Sequence, residues 1–190
     1  MKKEQYLSLK QKVISEGYAD DITWADALKP PRVPTDFVNE IIFVICNSGM
    51  NFKAARRIFE KIIFWLPADV NHVFKHKGKA GAINYVYQNR VRLFEEFCAL
   101  TDDVQRLTFI ERLPWIGPIT KFHVAKNLGM QLAKPDRHLQ RIADASAETP
   151  QGLCERLARE TGDKVSVVDT ILWRASAIGI IQTKTITPSN

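Results

Sequence analysis

The chain has 190 residues, 45% of them apolar and 25% charged, with a formal charge of +6 and a pI near 9.3. This suits a soluble globular protein of one domain or two small intimate lobes, and the positive charge weakly favours a polyanion partner. Cys46, Cys98 and Cys154 form no CxxC pair, so a zinc or cluster site is not expected, and the three read as reduced thiols of a cytosolic protein. Met1-Lys2-Lys3-Glu4 lacks the apolar stretch of a signal peptide, and the most apolar run, Ile41 to Cys46, is too short to span a bilayer.

Lys3 to Glu16 carries Tyr6, Leu7, Leu9, Val13 and Ile14 at helical spacing, and Gly17 reads as its stop. A short segment, Ile22 to Leu28, meets Lys29-Pro30-Pro31-Arg32-Val33-Pro34, an extended connector. Thr35 or Asp36 is expected to cap a buried helix that runs to Asn47. After the turn Asn47-Ser48-Gly49-Met50, Asn51 caps Phe52 to Trp65, whose Ala54, Ala55, Ile58, Phe59, Ile62 and Ile63 form a stripe. Pro67 ends it. Asp69 to Phe74 reads as a short helix. His72 through Lys79 reads most simply as a solvated basic loop, with phosphate contact the alternative.

Ala80 to Leu100 reads as one long or broken helix with Ile83, Val86, Tyr87, Val91, Phe94, Phe97 and Cys98 inward. Thr101-Asp102-Asp103 caps Val104 to Arg112. A tight hairpin, Leu113-Pro114-Trp115-Ile116-Gly117-Pro118-Ile119-Thr120-Lys121, leads into a helix expected to start at Pro118 and close at Gly129. Asp136 or Pro135 opens the helix bearing Leu139, Ile142 and Ala143. Thr149-Pro150 opens another that ends at Gly162. Lys164 to Ile178 is the last, and Thr183 to Asn190 is a polar tail. No strand pair stands out, so the expected fold is all-α.

A helix N-terminus offers unpaired N–H groups and a partial positive charge to an anion. The amides of Gly117, Ile119 and Thr120 fit one phosphate, with Lys121 and Lys126 adding charge nearby. Contacts of that kind carry no sequence information and suit a protein that scans DNA. An ordinary helix–turn–helix connection is the plainer alternative for the same residues. Asp136 has a plain reading too, as a helix cap. Facing a nucleotide, it would instead stabilise positive charge on a sugar as its base departs, or activate water.

Leu-Pro-x-Ile-Gly-(x)2-Thr followed by Asp136, His138 and Arg141 resembles the helix-hairpin-helix DNA glycosylase superfamily, endonuclease III class. Phe37 to Arg57 is similar to that family's buried helix, polar turn and basic helix, and the likeness covers Thr35 to Ala145. It implies two helical lobes with a DNA-binding cleft between them. One lobe is residues 35–128, ending in the helix-hairpin-helix motif. The other combines 1–34 with 129–190 and carries the catalytic Asp136. The implied partner is double-stranded DNA, with no membrane partner, and the protein is expected to be a cytoplasmic or nucleoid-associated monomer. The family flips a base and cuts its N-glycosidic bond. Trp115, Gly117, Ile119, Thr120 and Lys121 take the DNA-backbone positions.

Departures from the family pattern refine this. Bifunctional members place a nucleophilic lysine where this chain has Ile119, so a monofunctional glycosylase using water is expected. A bifunctional glycosylase/lyase recruiting Lys121, or a non-catalytic DNA-binding module, are the alternatives. The iron–sulfur cysteines are absent, and no other metal or cofactor is implied beyond a monovalent cation at the hairpin carbonyls. Trp115 replaces the first hairpin glycine, where it strains the turn or stacks on sugar–phosphate. His123, one turn after Ile119, faces the expected base pocket. Asn47 and Ser48, with Met50 or Asn51, take the gap-filling turn. Trp24, Trp65, Tyr85, Tyr87 and Trp173 are candidates to stack on a base, and most of them are expected in the core.

Overall fold

A computed structural model describes residues 1–181, and these form helices and their connections with no strand among them. The expected polar tail, Thr183 to Asn190, lies outside the described residues. No helix among the described residues is long and apolar enough to cross a membrane. The chain divides into a central unit, Lys29–Met130, and a terminal unit that joins Met1–Leu28 to Gln131–Asn190. The boundaries expected at 34/35 and 128/129 thus fall at 28/29 and 130/131. The connector packs on the end of the central unit: a Cβ on Gly129 would lie 2.6 Å from the Lys29 carbonyl carbon and 2.7 Å from the Pro30 nitrogen. With φ at +80°, that position suits only glycine.

In the terminal unit, α1 (Lys3–Val13) buries Tyr6, Leu9 and Val13. Gly17 interrupts the helix as expected, its backbone leaving the helical region between α1 and the next helix. It takes φ +86° inside a wide-turn segment, Ile14–Tyr18, and the chain resumes as α2 (Ala19–Ala27). A glycine absorbs the kink without the steric cost that another residue would incur.

The central unit is arranged around α3 (Pro34–Asn47). Its N-cap is Val33, not Thr35 or Asp36, because Pro34 supplies the first helical residue and needs no N–H there. Phe37, Val38, Ile41, Ile42, Val44, Ile45 and Cys46 are all buried. The helix is apolar nearly all round because four helices pack on it: α4 (Phe52–Trp65), α5 (Lys77–Gln88), α6 (Arg90–Ala99) and α8 (Thr120–Asn127). Each such Ile or Phe contributes about 1.5–3 kcal/mol by leaving water.

Asn51 caps α4 as expected, accepting the Lys53 amide at 2.9 Å. The α4 stripe is narrower than its sequence suggests: Ala55 and Ile62 are buried, whereas Ala54 is exposed. Of the two readings of Ala80 to Leu100, one long helix or a broken one, the broken one holds, with the break at Asn89, and Val91 and Cys98, expected inward, are exposed. The break rotates α6 so that Leu93 and Phe97 face the core, with Phe97 5.0 Å from the Phe37 ring. Between Trp65 and α5, only Val70–His72 forms a single tight turn of helix. Then α7 (Asp103–Glu111), capped by Asp102, leads to the hairpin.

Returning to the terminal unit, α9 (Arg137–Asp144), α10 (Pro150–Thr161) and α11 (Val165–Ala177) complete its core. Tyr6, Leu9, Leu139, Leu153, Leu157, Val168, Ile171 and Leu172 meet there. Thr149 caps α10 through its hydroxyl, and Gly162 closes it at φ +80°. Asp163 binds the Tyr6 hydroxyl at 2.8 Å and the Lys10 ammonium at 2.7 Å, which ties α1 to the α10–α11 connection.

Candidate functional site

The hairpin begins where α7 ends. Ile116 donates its amide to the Leu113 carbonyl at 3.1 Å, and Lys121 donates to Gly117 at 3.0 Å. The second helix starts at Thr120, two residues later than Pro118, with Ile119 as an N-cap whose side chain offers no acceptor. As a result the amides of Gly117, Ile119 and Thr120 have no acceptor among the described residues. Such a set is suited to an anion. The strained position is Trp115, at φ +69°; Gly117 is not in the left-handed region, and a Cβ there would meet nothing within 4 Å.

Lys121 lies 2.5 Å from Glu111 Oε2, an ion pair that closes the two arms of the hairpin. Its ammonium also sits 5.5 Å from the Phe122 ring centre. Ile119 is 45% exposed. His123 follows on the same face of α8, half-buried and edge-on to Phe43 at 6.4 Å.

The turn after α3 comes close to the hairpin. Ser48 donates its hydroxyl to the Ile45 carbonyl at 3.1 Å and accepts the Trp115 indole N–H at 3.2 Å. Gly49 takes φ +68°, with Asn47, Ser48 and Met50 half-buried around it. Two further residues complete the arrangement. The Trp115 ring lies edge-on to His76 at 4.9 Å, and a Cβ on Gly78 would fall 2.6 Å from its Cζ3.

Lys79 was missed by the sequence reading, which left it in a solvated loop. It is buried, and its ammonium donates to the Cys46 and Ser48 carbonyls at 3.1 and 2.6 Å. These are carbonyls at the C-terminus of α3, where a cation meets the negative end of the helix dipole. Burial lowers the Lys79 pKa from the usual lysine value, with Cys46 opposing, and burial pushes the Cys46 thiol up to about 12. The signal that marks Lys79 is His76, which caps α5 by accepting the Lys79 amide at its Nδ1 and so extends the helix backward.

A second polar pair in the central unit also escaped the sequence reading. Asn127 is buried and donates Nδ2–H to Glu40 Oε2 at 2.9 Å, one helix to the next. Burial raises the Glu40 pKa; the Asn127 hydrogen bond opposes that and Asp36 adds to it.

In the terminal unit, Asp136 is the N-cap of α9. Its Oδ1 accepts the His138 and Leu139 amides at 2.9 and 3.1 Å. Its Oδ2 lies 4.0 Å from Lys134 Nζ, and the side chain is 16% exposed. The preceding segment is pinned by buried Asp169, whose Oδ1 accepts the Lys134 amide at 3.0 Å. His138 Nδ1 is 2.9 Å from the Ser176 hydroxyl, which holds the first turn of α9 against α11. Asp169 escaped the sequence reading because it stands in the apolar run of α11.

None of the five aromatics expected mainly in the core is buried: Trp24, Trp65 and Tyr85 are exposed, and Tyr87 and Trp173 half-buried. Four of them meet polar or cationic groups at the surface: the Trp65 indole donates to the Asp69 carbonyl, Arg92 reaches the Tyr85 hydroxyl, Arg90 covers Tyr87 at 4.5 Å and Arg174 covers Trp173 at 4.7 Å. No group of three or more His, Cys, Asp or Glu side chains among the described residues is placed to hold a metal ion. Comparison with family models, curated proteins and solved structures gave no match.

Proposed function

We propose that the chain is a monofunctional DNA glycosylase of the helix-hairpin-helix class. The observation that carries the reading is the state of Asp136. One carboxylate oxygen is held by two backbone amides while the other, among the described residues, makes only a long contact with Lys134. An oxygen fixed by the backbone orients its partner without a mobile side chain between them.

In the proposed step the bond between sugar C1′ and the base nitrogen breaks, and its electron pair leaves with the base. A water oxygen bonds to C1′. Asp136 stabilises the positive charge on the sugar and takes the proton of that water. The unpaired amides of Gly117, Ile119 and Thr120 support backbone phosphate binding at the hairpin. Glu111 neutralises Lys121, which speaks against an amine nucleophile and for water.

The test incubates purified protein with duplexes bearing diverse modified bases and scores abasic sites by alkaline strand cleavage. Excision from at least one duplex, lost in Asp136→Asn and giving no borohydride-trapped adduct, is expected. No abasic product from any duplex, or an unaltered rate in Asp136→Asn, would overturn the reading.

A further inference from the structure

Trp115 holds φ +69°, a region that glycine or asparagine enters at little cost and a bulky residue does not. Strain of this kind persists only where the surroundings enforce it, and it points from the outlier to a use. The surroundings here are specific. The indole N–H is anchored on Ser48 Oγ at 3.2 Å, the His76 ring meets it edge-on, and Gly78 leaves a gap that any Cβ would close. Yet the residue is 44% exposed. A ring anchored at its N–H, held by two neighbours and still open to solvent is a fixed plate, not a core side chain.

Its chemical neighbourhood is cationic. The segment from Phe74 to Gly81 carries Lys75, His76, Lys77 and Lys79 with no carboxylate, and the turn from Asn47 to Lys53 has none either. Lys53, Lys75 and Lys77 are exposed. A planar ligand joined to negative charge matches both features, and a nucleobase on its phosphate chain is such a ligand. A base inside an intact duplex has both faces covered, so an exposed plate is available only to a base that has lost its partner or its neighbour.

We infer that Trp115 is a stacking platform for an unpaired base in duplex DNA, set between the hairpin and the turn after α3. This rests on the DNA-binding part of the proposed function and adds a preference for interrupted duplex that phosphate contacts alone do not supply. Stacking on an aromatic side chain changes affinity by on the order of ten- to a hundredfold per base.

The experiment measures binding to two duplexes of one sequence. One is fully paired; the other carries a tetrahydrofuran abasic residue opposite 2-aminopurine, whose fluorescence falls when it stacks. Wild-type protein is expected to prefer the interrupted duplex and to quench the 2-aminopurine. Trp115→Gly, which suits the backbone conformation, is expected to lose about tenfold or more of that preference, read as the ratio of the two affinities so that any backbone contact common to both duplexes cancels, and to lose the quenching. Trp115→Phe, which keeps a ring, should retain most of both. An unchanged preference and unchanged quenching in Trp115→Gly overturn the platform while leaving DNA binding intact. Failure of the wild-type chain to bind either duplex overturns the platform and the DNA reading together.

Discussion

Trp115 donates its indole N–H to Ser48 Oγ at 3.2 Å, so the hairpin and the turn after α3 are joined by a side chain in a strained backbone conformation. The same ring fills the space above Gly78. Gly78→Ala should therefore destabilise the protein by about 1–3 kcal/mol, although alanine normally favours a helix over glycine. In the Trp115→Gly background the obstruction is gone, and the same change should stabilise by roughly 0.5–1 kcal/mol. Urea unfolding of the four proteins of this cycle measures the coupling. Equal effects of Gly78→Ala in both backgrounds would show that the ring does not rest there.

Asp136 combines a capping role with the proposed chemical one, and two substitutions separate them. Asparagine is as good an N-cap as aspartate, whereas alanine caps poorly and costs about 1 kcal/mol. Asp136→Asn should leave thermal stability near that of the parent and lower excision by about 10²–10⁴-fold. Asp136→Ala should lose both. Loss of activity in the alanine variant alone, with the asparagine variant fully active, would mean that the residue matters only as a cap.

Much of the architecture was legible from periodicity and punctuation. The stripe through Ile58 and Ile62, the cap at Asn51, the closures at Gly129 and Gly162, and the start at Thr149-Pro150 each follow from local physical chemistry, and all appear. The all-helical class follows from the same signals. Gly17 was legible in the same way, since glycine enters positive φ without steric cost and breaks the helix there. Lys79 and Asp169, by contrast, were invisible. Each is a charged residue satisfied by backbone groups distant in sequence, 31 or more positions away. No local pattern encodes such a pair. Trp115 and Ser48 were each singled out, but their contact spans 67 positions and could not be read from either neighbourhood.

Cysteine chemistry offers a check on the packing that needs no substrate. Cys98 is exposed, whereas Cys46 and Cys154 are buried. The Cys46 thiol is further suppressed because burial pushes it up to about 12. At about pH 8 a disulfide reagent should label one thiol quickly in the native protein and three in denaturant. Cys98→Ser should abolish the fast phase. Fast labelling of two thiols would place either α3 or α10 wrongly.

Glu40 makes stability depend on pH in a direction opposite to the usual salt-bridged carboxylate. Its folded pKa lies above the ordinary 4.5, chiefly through burial. Between those two values the folded chain keeps a proton that the unfolded chain has released. Unfolding therefore releases a proton there, and stability falls as pH rises through that window. Glu40→Gln keeps an oxygen for the Asn127 amide group and carries no charge at any pH. The variant should match the parent near pH 4 and exceed it near pH 7, with a flatter profile between. Urea midpoints collected across that range decide the matter. A variant less stable than the parent at neutral pH would mean that Glu40 is held there as a favourable anion, and that a cation not among its partners above compensates it.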